Sequence, residues 1–209
     1  MSLPTRISPC GLWMESNLTM RLWAVALLIA PTLIQPQAIT DPDAYAVYNA
    51  LIPSSWLIRT GGAKELVIQA TTRVLGPRGY NCFPSGPQLT GGWEEALISL
   101  KAQNAEPHDL AWQFSLPVRY RLVSEETIMS YVTPTSPGDW DAFHADYPLA
   151  KGVLRLSAVG FDSAHQHAIV HMSHGCGGLC GEARYYFLER TPDGWKPAKL
   201  EASGCFVVS

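Results

Sequence analysis

The sequence predicts an α+β fold: a curved antiparallel β-meander of about five or six strands packed against two or three helices. Three observations point there. Apolar and polar residues alternate with period two through the C-terminal third, where short turns separate the strands. Two upstream segments open on Asp-Pro or Ser-Pro and continue with apolar residues at helical spacing. The composition, with 47% apolar and 16% charged residues, is that of a chain that buries a core.

The chain has 209 residues, seven Trp and sixteen Pro, with a formal net charge of -3. No basic face is expected, so nucleic acid is not a candidate partner. The most apolar run, residues 22–34, follows Arg21 and leads into Gln35, Pro36, Gln37 and Ala38. Charge, apolar run and small-residue exit follow one another as in a secretory signal. The run is shorter than the roughly 20 residues a membrane-spanning helix needs, and Pro31 interrupts it. Residues 1–38 are therefore read as a signal peptide, with Met20 as a second candidate start, and residues 39–209 as a single α+β domain. A retained anchor and a buried N-terminal helix are the alternatives. Contact with a membrane is expected only through this segment. The signal pattern places the protein outside the reducing cytosol, in the periplasm or beyond.

Within the body, Asp41 caps a first helix with Pro42 at its opening position, and Tyr45, Tyr48 and Ile52 follow at helical spacing. Residues 65–74 alternate as a half-buried strand. Residues 75–92 hold Gly, Pro, Asn and Ser and read as a loop. Trp93, Ala96, Leu97 and Leu100 mark a second helix. Val118, Tyr120 and Leu122 mark a strand. Ser136, Pro137 and Asp139 form a helix start with the spacing of a capping box, and Trp140, Phe143 and Tyr147 follow. Leu154, Leu156 and Ala158 alternate with Arg155 and Ser157. Ala168, Val170 and Met172 belong to the next strand and residues 184–190 to a third. Pro192-Asp193-Gly194 is a hairpin turn before Trp195, and residues 206–208 close the sheet. Short turns favour antiparallel neighbours.

Reactive side chains concentrate in residues 165–182, which hold His165, His167, His171, His174, Cys176 and Cys180. Outside the cytosol, paired Cys are expected to form disulfides. The body carries Cys82, Cys176, Cys180 and Cys205, which allow three pairings, and Cys176–Cys180 with Cys82–Cys205 is favoured. Metal binding is the first alternative. His167 and His171 lie roughly 13 Å apart along a strand and cannot share an ion, so His174, Cys176 and Cys180 make the easier ligand set. Thiol redox chemistry is the second, although the CxxxC spacing between strands lacks the helix that lowers a thiol pKa. No GxSxG element is present. The doublets Glu94-Glu95 and Glu125-Glu126 read as solvated surface. Tyr45, Tyr48, Trp93, Trp140 and Trp195 are candidate pocket walls, most of them core.

Trp140, Phe143, Tyr147-Pro148, Val159-Gly160-Phe161, the Cys-Gly turn 176–181, the aromatic strand 185–189 and Gly194-Trp195 together resemble the C-terminal third of a family of bacterial exported proteins. The chain ends in Phe206-Val207-Val208-Ser209 where that family often carries Trp-x-Ser. The resemblance implies an exported domain and no particular reaction. A helix wrapped by such a meander also resembles the cystatin or NTF2-like architecture, an analogy of fold alone. The expectation is a non-enzymatic binding module for a small molecule or a protein, held by disulfides and needing no cofactor. The rival is a metal- or thiol-dependent enzyme using His171, His174, Cys176 and Cys180.

Overall fold

The structure, a computed structural model, describes residues 36–57, 63–76, 89–131, 139–177, 180–198 and 207–208. Most of the expected signal peptide, the residues around Ser136 and both Cys82 and Cys205 lie outside them, and so does the Cys82–Cys205 pairing. No helix among the described residues is long and apolar enough to cross a membrane.

Helix α1, Pro42–Ile52, starts as the sequence indicates. The Asp41 carboxylate accepts the Asp43 N–H at 2.9 Å, and Pro42 occupies the first turn, where its missing N–H leaves nothing unpaired. A turn of π-helix, Pro53–Leu57, follows. Helix α2 is Gly92–Gln103, α3 is Glu125–Tyr131 and α4 is Trp140–Asp146. Asp139, not Ser136, caps α4, accepting from the Ala142 N–H at 2.9 Å. The acidic doublet 125–126, read from sequence as bare surface, forms the first turn of α3, where carboxylates favour the positive end of the helix dipole.

The strands are β1 (Gln37–Ala38), β2 (Glu65–Gln69), β3 (His108–Asp109), β4 (Arg119–Val123), β5 (Ala150–Leu156), β6 (Gly160–Phe161), β7 (His167–Gly177), β8 (Cys180–Thr191), β9 (Gly194–Pro197) and β10 (Val207–Val208). The fold is α+β with a curved sheet. The sheet runs β10-β8-β7-β5-β2-β4, with β6 beside β7 and β9 beside β8, while β1 and β3 form a small parallel pair. Gln37 and Ala38, the last residues of the expected leader, are thus strand partners of His108 and Asp109.

The large sheet is mixed, not wholly antiparallel. β2 pairs in parallel with both β4 and β5, whereas β5, β7, β8, β9 and β10 pair antiparallel. The physical reason is connection length. A parallel neighbour needs a crossover of a dozen residues or more, usually helical. Residues 70–118 carry α2 between β2 and β4, and residues 124–149 carry α3 and α4 between β4 and β5. The short-turn argument applies only from β5 onward.

The pleat sends alternate residues to two faces. On the first face Leu66, Ile68, Leu154, Leu156, Ala168, Val170, Met172 and Leu188 are buried together with Tyr45, Tyr48 and Leu51 of α1. The second face carries two smaller cores. One joins Trp93, Ala96 and Leu100 of α2 to Ile169, Tyr185 and Phe187. The other joins Ile128 of α3 and Phe143 of α4 to Val67 and Val153. At Gly160 the α2 backbone comes so close that an added Cβ would lie 2.3 Å from the Ala96 carbonyl oxygen. Glycine is required there by contact, and it brings β6 directly under α2.

Candidate functional site

The histidine- and cysteine-rich stretch is spread over several environments. Cys176 and Cys180 face each other across the β7–β8 hairpin at disulfide distance, with Cα atoms 5.1 Å apart. His174 stands beside them, and the three potential ligand atoms lie within 4.8 Å of one another. His171 is buried at mid-strand with its ring 4.8 Å from that of Tyr185. His167 pairs its Nδ1 with Asp162 Oδ2 at 2.9 Å and packs 4.6 Å from the Trp93 ring. His165 belongs to the turn before β7.

That turn borders a cleft of about 540 Å³. Its floor is the bend from β5 into β6, with Ala158, Val159 and Phe161. Residues 37–41 and the first turn of α1 form one wall, and Ser99 and Gln103 of α2 form the other. Asp162, Ser163 and His165 make the rim. The rim is rigidly built. Asp162 accepts the N–H groups of Gln166 and His167 at 2.7 and 2.8 Å through one oxygen and holds the His167 ring through the other. Ser163 gives both its N–H and its hydroxyl to Glu95 of α2, at 3.0 and 2.8 Å. An added Cβ on Gly92 would stand 2.3 Å from His167 Nδ1, so the start of α2 can lie against the Asp162–His167 pair only as glycine.

His165 adopts φ 50°, an uncommon conformation for a residue with a Cβ. It stacks flat on Phe161, with centroids 4.5 Å apart and planes 6° from parallel. Its Nδ1 lies 3.0 Å from Asp43 Oδ2, which also receives a hydrogen bond from Arg190 Nη1 at 2.8 Å. Burial pushes the Asp43 carboxyl up, but the hydrogen bonds from His165 and Arg190 more than offset it, so the group sits below the usual carboxylate range. Asp162 is lowered in the same way by His167 and its two backbone donors. Both carboxylates are therefore ionised at neutral pH. Asp41, Asp43 and His165 have the spacing of a cation site. Arg190 already supplies Asp43 with a positive charge.

Of the aromatic residues taken from sequence as candidate walls, Tyr45, Tyr48, Trp93 and Trp195 belong to the buried cores. Tyr48 is fully enclosed and donates to the Ser157 carbonyl at 2.8 Å. Phe161, quoted from the sequence only within Val159-Gly160-Phe161 and not among the candidate pocket walls, is an aromatic surface that the cleft uses. The Asp-Ser-x-His order after a Gly-Phe pair was the available signal, because Asp side chains that bond two residues and more ahead build turns of this kind. Comparison with known protein families, with curated proteins and with solved structures returns no match.

Proposed function

We propose that this chain is an exported, non-enzymatic module that binds a small polar molecule in the cleft between α1, α2 and the β5–β6 bend. The Phe161–His165 stack at the mouth carries the reading. A flat aromatic platform flanked by Asp41, Asp162, Ser163 and Gln103 suits a small ligand with an apolar face and hydrogen-bond donors at its edge. The Cys176–Cys180 disulfide is a structural brace on the β7–β8 hairpin, and export supplies the oxidising surroundings in which it forms. The signal pattern of residues 22–38 supports export; a cut after Ala38 takes Gln37 and Ala38 from the cleft wall and leaves residues 39–41 to form it.

The test of the cleft is Gln103→Trp, at an exposed position on α2, which fills the space without touching a core. The protein's small-molecule extract, identified by mass spectrometry, should rebind to the natural chain and not to the variant, with equal thermal stability. Retained binding would discard the cleft. N-terminal sequencing of the native product tests export.

A metal- or thiol-dependent enzyme is the second reading, favoured by the closeness of His174, Cys176 and Cys180. A thiol count and a metal assay on native protein separate the two. Neither free thiols at 176 and 180 nor bound metal leaves the binding module standing; one equivalent of zinc, or two reactive thiols, replaces it with the rival.

A further inference from the structure

Between the two cores of the second sheet face runs a polar strip with an unusual charge balance. Arg155 on β5 pairs directly with Ser173 on β7, and the register places His171 two residues along on the same face. Arg155 Nε donates to Gln69 Oε1 at 3.1 Å, and Arg73 Nη1 donates to Ser173 Oγ at 3.4 Å. Trp140 of α4 stands at one side, over Gly175, and Tyr185 at the other, against His171. Arg73 thus reaches the Ser173 hydroxyl, and Arg155, the cross-strand neighbour of Ser173, carries a second guanidinium group on the same strip.

Neither arginine makes an ion pair with an Asp or Glu among the described residues. Among the described residues, the carboxylate that acts on Arg155 is Glu125, at the start of α3, and the two form no ion pair. Burial and the neighbouring Arg73 both disfavour the charge on Arg155. His171 is 7% exposed, and its Nδ1 is buried with no hydrogen-bond partner. Native proteins pair buried charges and hydrogen-bond buried polar groups. Here the half-buried Arg155, the exposed Arg73 and a buried imidazole whose Nδ1 has no partner share one strip.

We propose that this strip is a binding site for a small oxyanion of the phosphate class, held by Arg73, Arg155 and the Ser173 hydroxyl. Two guanidinium groups match a dianion in charge, and their forked donors match its oxygens. The hydroxyl adds a third donor. A carboxylate monoanion would satisfy one arginine and leave the other uncompensated, so phosphate should be preferred to acetate. The site lies on the opposite sheet face from α1, and its existence does not depend on the cleft.

The test uses inorganic phosphate on the full chain at neutral pH and low ionic strength, with acetate and chloride as the other arms. Saturable shifts of the Ser173 amide and the His171 ring in NMR spectra are expected with phosphate, at lower concentration than with acetate. Chloride should give only the gradual drift of screening. Arg73 is exposed, so Arg73→Gln should fold normally and bind phosphate at least about tenfold more weakly. Glu125→Gln removes the competing negative charge and should tighten binding. Absence of saturation, equal response to chloride, unchanged affinity in Arg73→Gln, or weaker binding in Glu125→Gln would each overturn the assignment. Should Arg155→Gln fail to fold, the Arg73 and Glu125 variants still decide.

Discussion

The two faces of the sheet are built from the same strands and obey different rules. Leu154 and Arg155 are neighbours on β5. Leu154 enters an unbroken apolar layer beneath α1, whereas Arg155 enters a strip where a guanidinium, an imidazole and two hydroxyls interrupt the packing. The first face holds the fold together. The second is covered by α2, α3 and α4, yet it keeps polar groups, one of which, His171 Nδ1, is buried without a hydrogen-bond partner at a cost in free energy.

The contrast is broken most easily at those two residues. Leu154→Ala, at a position only 1% exposed, should cost about 3 kcal/mol in urea denaturation, from lost transfer energy and the cavity left behind. Arg155→Met, one residue later, should cost no more than about 1 kcal/mol, because an apolar chain of similar length removes an unpaired charge from a half-buried place. Equal losses at both positions would show that the two faces do the same work.

His171 gives the next largest effect, and its sign is specific. Burial, followed by the nearby Arg73, lowers its pKa from 6.5 to about 4. The neutral ring is the folded form, and the unfolded chain takes up the proton first. Stability is therefore fully present above pH 6.5 and is lost as pH falls toward 4, by about 3 kcal/mol over the window. Asp43 and Asp162, lowered by their hydrogen bonds, lose their contributions at more acid pH, below the ordinary carboxylate value of 3.8. Denaturation at pH 7 and pH 4.5 should show the loss, and His171→Phe should flatten it. An unaltered slope in that variant would assign the acid sensitivity elsewhere.

Ser157 sits where the polar strip meets the core, and it is completely buried. Its hydroxyl accepts the His171 N–H at 2.8 Å and donates to the Ala158 carbonyl at 2.8 Å. Ser157→Ala leaves a buried amide without a partner and should cost about 2 kcal/mol, read from the urea midpoint.

Much of the first face was legible in the sequence, and little of the second. Period two indicates β5 and β7, and Pro192-Asp193-Gly194 indicates the turn between β8 and β9, because hairpin register is local information. The parallel arrangement of β2, β4 and β5 depends on which distant segments meet, and alternation within one strand carries no sign of it. In the sequence Arg155 and Ser157 alternate with the apolar set of their strand, a pattern that solvent-facing residues share. They are covered because three helices cross over that side, one of which, α3, the sequence reading did not find. The cleft was equally hidden. Its platform needs Phe161 and His165 stacked through a turn whose left-handed residue is histidine, a conformation that glycine ordinarily advertises and histidine does not.

Gly175 offers the smallest perturbation and the sharpest. It lies on the strip between Trp140 and Arg155, and an added Cβ would meet Trp140 at 3.5 Å and Arg155 Nη1 at 3.8 Å, both ordinary contacts. Its backbone is not left-handed, so alanine is conformationally acceptable. Gly175→Ala should change stability by no more than about 0.5 kcal/mol, since the small gain from a stiffer unfolded chain is set against slight crowding. The same methyl narrows the space beside the guanidinium where an oxyanion would sit, so phosphate affinity should fall severalfold. A structural role for the strip predicts the reverse pattern, a measurable change in denaturation midpoint with phosphate response untouched. Measuring both quantities on one protein sample therefore asks directly whether the second face is packed for folding or kept open for a ligand.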